Sequence, residues 1–195
     1  MGDEVRDEDW YARESAGLEY TATAFIDVDM SESRFDGATF TECTFRRVRF
    51  NDSTSAACAF INCTFTQCSF FGAAFDACKL IGATFERCTF TNLTVDGGDW
   101  SFTNLAGADL RGVAFQAVRM RECDLSGVRA EGATLCDVDL TGAALHGTNL
   151  RDADLRGSDL SAVDPSTVDL RGATIGWQQA VQLVGALGLV VVPDQ

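Results

Sequence analysis

Eight cysteines, one histidine and 29 acidic side chains are the groups in this 195-residue chain that could do chemistry. Thiols can bridge, bind a soft metal or react as thiolates, an imidazole can move a proton, and carboxylates can ligate, catalyse or face a basic partner. Spacing decides between these uses. Seven of the cysteines (43, 58, 63, 68, 78, 88 and 123) are separated by multiples of five, and only Cys136 stands outside that frame. The frame, rather than a disulfide framework, explains their placement. Inward-facing cysteines packed by phenylalanine also offer no convergent set of metal ligands. His146, the only histidine, falls at an outward position, so a general base is not expected there. No phosphate-binding glycine loop, dinucleotide fingerprint or nucleophile elbow is present. The chain is expected to be no enzyme and to use no cofactor, metal or small-molecule substrate.

The elements that position these groups follow a period of five. Counting every fifth residue from Phe25 to Ile175 gives 31 centres, of which only Ser55, Ala130 and Pro165 are not large and apolar. The residue two before each centre is nearly always small, as at Cys43, Cys58, Ala73, Ala108 and Ala153. Five fits neither the helical 3.6 nor the strand 2.0; it is a solenoid period, in which each repeat buries its apolar side only against its neighbours. Centre and minus-two residues point inward and the other three face water. Glycine holds the plus-two position twelve times, where a tight corner needs positive φ.

The formal charge of −14 argues against binding to nucleic acid or an anionic membrane, because phosphate contacts need Lys and Arg. The longest apolar run, Leu187 to Val192, is too short to span a bilayer, and Met1 to Arg13 lacks the regions of a signal peptide. A cytoplasmic protein is expected. The frame divides the chain into an acidic N-terminal segment at 1–22, repeats at 23–175 and a C-terminal segment at 176–195. The first is expected to be partly disordered, over Met1 to Asp9, or capping, with Trp10, Tyr11, Leu18 and Tyr20 as anchors. In the last, Trp177, Ala180, Val181, Val184 and Leu187 recur at helical spacing, Gly188 ends the helix and Leu189 to Val192 reads as a short strand. That stripe exceeds what a cap needs, and an open coil end is a template for pairing. Trp177, Ala180, Val181, Val184, Leu187, Leu189 and Val191 are therefore predicted to join two copies as a homodimer.

Runs such as Ala108-Asp109-Leu110-Arg111-Gly112, Ala153-Asp154-Leu155-Arg156-Gly157 and Ala83-Thr84-Phe85 resemble the consensus of pentapeptide-repeat proteins over about residues 23–175. The resemblance implies an all-β fold, a right-handed quadrilateral β-helix with four pentads per turn, so that residues twenty apart stack in columns. The 31 pentads would then make roughly 7.75 turns and a rod of roughly 37 Å. Cys43 and Cys63, Cys58 and Cys78, and Cys68 and Cys88 would lie one turn apart, within bridging distance, but are expected to be reduced small core residues. The tail from Gln179 to Leu189 and the unbroken frame resemble the mycobacterial fluoroquinolone-resistance branch of the Qnr-like pentapeptide-repeat proteins; this chain departs from it mainly in a longer N-terminal segment. That resemblance implies a dimer joined at its C-terminal ends that mimics B-form DNA, binds and inhibits DNA gyrase and protects it from fluoroquinolones.

Charge weighs on that implication. Residues 23–175 hold 21 acids and 13 bases, so a dimer of roughly 75 Å has one net charge per roughly 4.7 Å, against about 1.7 Å for duplex DNA. Uniform mimicry is weak. The distribution is uneven, however: residues 23–95 are net −2, while residues 96–175, with 13 acids and seven bases, are net −6. In this second half, the face through Leu110, Ala130, Leu150 and Leu170 carries four residues of each sign. The other three faces carry Asp96, Asp137 and Asp154; Asp99, Glu122, Asp139 and Asp159; and Asp124 and Asp164. Those nine form the expected gyrase-binding surface. The alternative is a structural scaffold or adaptor β-helix with no gyrase partner, whose acids serve solubility. Thr44, Thr64, Thr84 and Thr66 resemble an ice-binding ladder, but Arg46, Arg47 and Arg87 break it up.

Overall fold

A register of twenty residues organises the whole molecule. In the computed structural model, which describes residues 3–192, every strand is three residues long and pairs in parallel with the strand one turn away. Four faces result. The first runs from Glu4–Arg6 through Ala24–Ile26, Thr44–Arg46 and Thr64–Thr66 to Thr84–Glu86. The second is a ladder of single bridges, from Asp9 through Asp29, Arg49 and Ser69 to Thr89, resuming at Asp109. The third holds seven strands, from Glu14–Ala16 to Thr134–Cys136, and the fourth begins with three, from Glu19–Thr21 to Ala59–Ile61.

Corners between faces fall at plus-two, where Gly37 and Gly157 have φ of 61° and 78°. The coil imposes this conformation on other residues too: Arg47, Ala57 and Asn62 have φ of 54°, 50° and 52°. Each such corner disfavours an L-residue, and the coil offsets this by pairing the corner N–H with the next turn, as in Asn62 N–H to Ile81 O at 2.9 Å. The bore is filled by columns of rings. Phe25, Phe45, Phe65 and Phe85 stack at centroid spacings of 4.9, 4.8 and 4.9 Å, the strand spacing itself. Neighbouring columns meet edge to face, as between Phe65 and Phe70 at 5.5 Å.

The exceptions to the frame have local consequences. Ser55 is buried without disturbing its strand. Ala130 leaves a small apolar void among Leu110, Met120, Leu125 and Leu150 that a larger centre would fill. At Pro165 the ladder of the first face stops: Thr167 and Val168 N–H both turn back to Asp164 O. All eight cysteines are free thiols, six of them buried. The inward thiols donate to carbonyls of the preceding turn, as from Cys63 Sγ to Phe40 O at 3.3 Å and Cys78 Sγ to Ser55 O at 3.2 Å. The adjoining thiol of each pair and then burial push Cys63, Cys68 and Cys78 up from the ordinary thiol range.

Both expected ends need correction. The coil does not begin at residue 23, because Glu4–Arg6, Glu14–Ala16 and Glu19–Thr21 are its first turn, each paired twenty residues on. Asp3 to Asp9 is therefore built structure, while residues 1–2 lie outside the described residues. Val5, Trp10, Ser15 and Tyr20 keep the frame of centres, but the minus-two residues there are Asp3, Glu8, Arg13 and Leu18, not small ones. Trp10 closes the bore, 3% exposed, with the Arg13 guanidinium 4.4 Å from its ring centroid and its Nε1–H donated to Glu8. At the other end the helix spans Trp177–Ala186, capped by Leu187, with Gly188 at φ 79°. Leu189 to Val192 is exposed and forms no strand; residues 193–195 lie outside the described residues.

Candidate acidic interface

The aspartate before each centre has a structural use that limits its availability to a partner. Its Oδ1 accepts the N–H two residues on: Asp99 from Ser101 at 3.0 Å, Asp124 from Ser126 at 2.9 Å, Asp139 from Thr141 at 3.1 Å. Asp154 does the same with Arg156 at 3.2 Å, Asp159 with Ser161 at 2.9 Å and Asp164 with Ser166 at 2.9 Å. These Asx turns tighten each rung and leave the second carboxylate oxygen outward. Asn104 and Asn149 accept the same bond, so the position needs an oxygen and not a charge.

Arginines take up part of what remains. Arg119 pairs with Asp99 at 2.9 Å, Arg121 with Asp139 at 2.5 Å and Arg156 with Asp154 at 2.7 Å. Asp96, Glu122 and Asp137 differ: they sit outside the Asx position, are exposed, and have no ion-pair partner among the described residues. Asp137 accepts only Gln116 Nε2–H, at 2.8 Å. Asp124, Asp159 and Asp164 likewise have no arginine partner among the described residues. The nine predicted acids thus share three contiguous faces, the third, fourth and first, but six are free of arginine and three are not. On the second face Asp109 is held by Arg111 at 2.6 Å and Arg129 at 2.8 Å, and Asp169 by Arg171 at 2.5 Å. That face is neutral.

Ion pairing depresses several carboxyls. The Arg156 guanidinium hydrogen-bonded to Asp154 holds it at about 2, and Arg171 and Arg49 do the same for Asp169 and Asp29. Unfolded aspartate titrates near about 3.9, so these groups contribute stability in full above about pH 4 and lose it as the pH falls toward 2. The melting temperature should be level from about pH 8 to 5 and decline below about pH 4. Circular-dichroism melts check this. A level value down to pH 2 would mean that the pairs add nothing, as exposed pairs often do.

The two ends carry features the sequence reading placed differently or missed. The first turn, now part of the rod, has seven acids against Arg6 and Arg13, so acid gathers at both ends and not only beside the helix. The helix is seated by Gln179, 5% exposed, whose Nε2 donates to Leu155 O at 2.6 Å and Ser158 O at 2.8 Å while Oε1 accepts Gly176 N–H at 2.6 Å. It occupies Ser158 O, which no main-chain N–H among the described residues reaches, and gives Leu155 O a second donor beside the Ser158 N–H. Its signal was a polar residue midway between Ile175 and Leu183, four residues from each. Of the predicted contact residues, Ala180 and Val184 are half-buried, whereas Trp177 is 80% and Leu187 60% exposed. Val181, Leu189 and Val191 are exposed as well. Within one chain this apolar face has no cover.

The family described as Pentapeptide repeat region matches residues 38–115 and 68–143, and that described as Pentapeptide repeats (8 copies) matches residues 21–54 and 148–177. Among solved structures, a trypsin-treated variant of QnrB1, a plasmid-mediated fluoroquinolone resistance protein, superposes with a TM-score of 0.65 at 24% identity, over 98% of this chain and 99% of that one. Full-length QnrB1 gives a TM-score of 0.54, also at 24% identity, over 97% and 99%. At this identity the likeness is one of fold. No curated protein matches the chain in sequence.

Proposed function

The chain belongs to the pentapeptide-repeat family, and from that premise we infer that it is a DNA-mimicking, cytoplasmic binder and inhibitor of DNA gyrase that protects the enzyme from fluoroquinolones. The observation that carries this reading is the concentration of unpaired carboxylates on three contiguous faces of a rigid rod, while the opposite face is neutralised by its own arginines. A basic DNA-binding surface would meet charges held on the rungs of a regular coil, as with Asp124 and Asp164 two rungs apart in one column, without a flexible loop to order. The shared fold with QnrB1, a fluoroquinolone resistance protein, supports the protection from fluoroquinolones in this reading. Because the net charge is sparser than that of duplex DNA, recognition rests on a patch and not on uniform mimicry. A homodimer joined through the uncovered helix face would bring two such patches into one rod.

The test is supercoiling by purified gyrase. Wild-type protein should inhibit it, and should reduce fluoroquinolone-stabilised cleavage. The triple variant Asp96→Lys, Glu122→Lys and Asp137→Lys should lose most inhibition yet melt normally, because none of the three closes an Asx turn, Asp96 ends a strand with its side chain exposed, and Arg47 and Arg87 already occupy left-handed corners equivalent to those of Glu122 and Asp137. Asp109→Asn with Asp169→Asn is the control, since asparagine keeps the turn bond. Inhibition should also weaken as salt shortens the Debye length below about 8 Å. Full inhibition by the triple variant would remove these faces from the interface. An inactive wild type would leave the scaffold reading.

A further inference from the structure

Phe102 is out of place in two ways. It is 62% exposed, and it sits at a plus-two corner with φ of 61°. The other non-glycine residues in that conformation are acids, amides, arginines and alanines; Phe102 is the one large apolar side chain among them. A bulky residue in the left-handed region is an outlier that the surrounding structure must enforce, and here no packing gain explains it. One turn back the same corner is Gly82 and one turn on it is Glu122, so the ring has no apolar neighbour in its own column.

The surroundings do enforce the corner. Phe102 N–H donates to Arg121 O at 2.9 Å. Ser101, buried beside it, donates its hydroxyl to Asp99 at 2.6 Å, and Thr103, also buried, donates to Trp100 O at 2.8 Å. The pentad is itself rebuilt: Trp100 is the largest fully buried side chain, and Gly98, at φ 89°, runs so close to the Cys78 backbone that a Cβ there would collide with it. The ring is therefore presented from a clamped backbone, at the edge between the fourth and first faces, with Glu122 next in its own column, Asp124 on the first-face rung that follows, and Arg121 beside Glu122 already paired with Asp139.

The geometry points to Phe102 as the apolar anchor of the acidic surface, fitting an apolar recess rimmed by lysine or arginine on a protein partner. A rigid exposed aromatic ringed by charge is the composition of a binding hot spot, with the ordering cost already met in the free state. Duplex DNA or a lipid surface would not suit the carboxylates. This inference rests on the gyrase reading above and adds a contact that DNA mimicry by charge does not contain.

Binding of purified gyrase to full-length wild type, Phe102→Ala, Phe102→Trp and Phe71→Ala tests it, at low salt and at about 0.15 M. Phe71 is 46% exposed on the neutral face and controls for loss of any surface aromatic. Phe102→Ala should bind about tenfold or more weakly, by the same factor at both salt concentrations, while Phe102→Trp and Phe71→Ala stay within about twofold of wild type. Its melting temperature should not fall, because alanine already holds this conformation at Ala57, Ala77 and Ala117. Undiminished binding by Phe102→Ala overturns the anchor and leaves the gyrase reading standing. A loss that vanishes with salt, a loss equal to that of Phe71→Ala, or a collapse in melting temperature overturns it too. Wild type that does not bind gyrase overturns both.

Discussion

Phe65→Ala is expected to destabilise the protein by about 3–5 kcal/mol, lowering the melting temperature by roughly 10 °C for a chain of this size. Phe65 is 1% exposed and lies inside a stack, 4.8 Å from Phe45 on one side and 4.9 Å from Phe85 on the other. Phe50, Phe60 and Phe70 also close on it, at 6.1, 5.9 and 5.5 Å. The stacked rings are fixed by strand spacing, so the column cannot shorten to fill the gap, and both transfer energy and cavity cost are lost. Cys63→Ala, in the same turn, deletes only a thiol, a weak donor bonded to Phe40 O at 3.3 Å, and should cost less than about 1.5 kcal/mol. Urea unfolding with unchanged slope measures both. A loss below about 1 kcal/mol for Phe65→Ala would mean that the bore relaxes, contrary to a continuous packed column.

Val181→Asp with Leu187→Asp should turn a dimer into a folded monomer. Wild type should sediment at twice the 21.0 kDa of one chain at micromolar concentration, and the variant as a single chain. Val181 is 37% and Leu187 60% exposed, on the outward side of the helix, while Gln179 and Leu183 hold the inward side to the coil. The substitutions therefore spare the seat of the helix. In a two-fold contact each change counts twice, and buried unpaired carboxylates are costly, so dissociation should rise by more than about a thousandfold, or about 4 kcal/mol. Sedimentation of the wild type as a monomer would end the dimer reading without touching the fold. Unfolding of the variant would instead assign these residues to the core.

The pentad frame was legible in the sequence because every centre faces one bore and every corner repeats one backbone conformation. Periodicity in residue type then maps directly onto an inward and an outward side, and the four pentads per turn that the family resemblance implies divide the outward side into faces. The first turn was illegible for the same reason. Its centres keep the frame, but Asp3, Glu8 and Arg13 replace small residues, because the terminal turn has a neighbouring turn on one side only and Trp10 closes the bore in place of a further turn. Gln179 escaped notice because its partners, the carbonyls of Leu155 and Ser158, belong to the main chain and leave no trace in residue type.

What the sequence determined by itself was therefore the repeating burial of residues 23–175, with its apolar centres and small minus-two positions, and the helix that ends it. What only the tertiary structure decided was the state of each charge. Whether an aspartate closes a turn, pairs with Arg119, Arg121 or Arg156, or stands free as Asp96, Glu122 and Asp137 do, depends on side-chain reach between turns twenty residues apart. Composition counts those charges alike, but a partner's basic surface meets only those that the neighbouring turns leave unpaired.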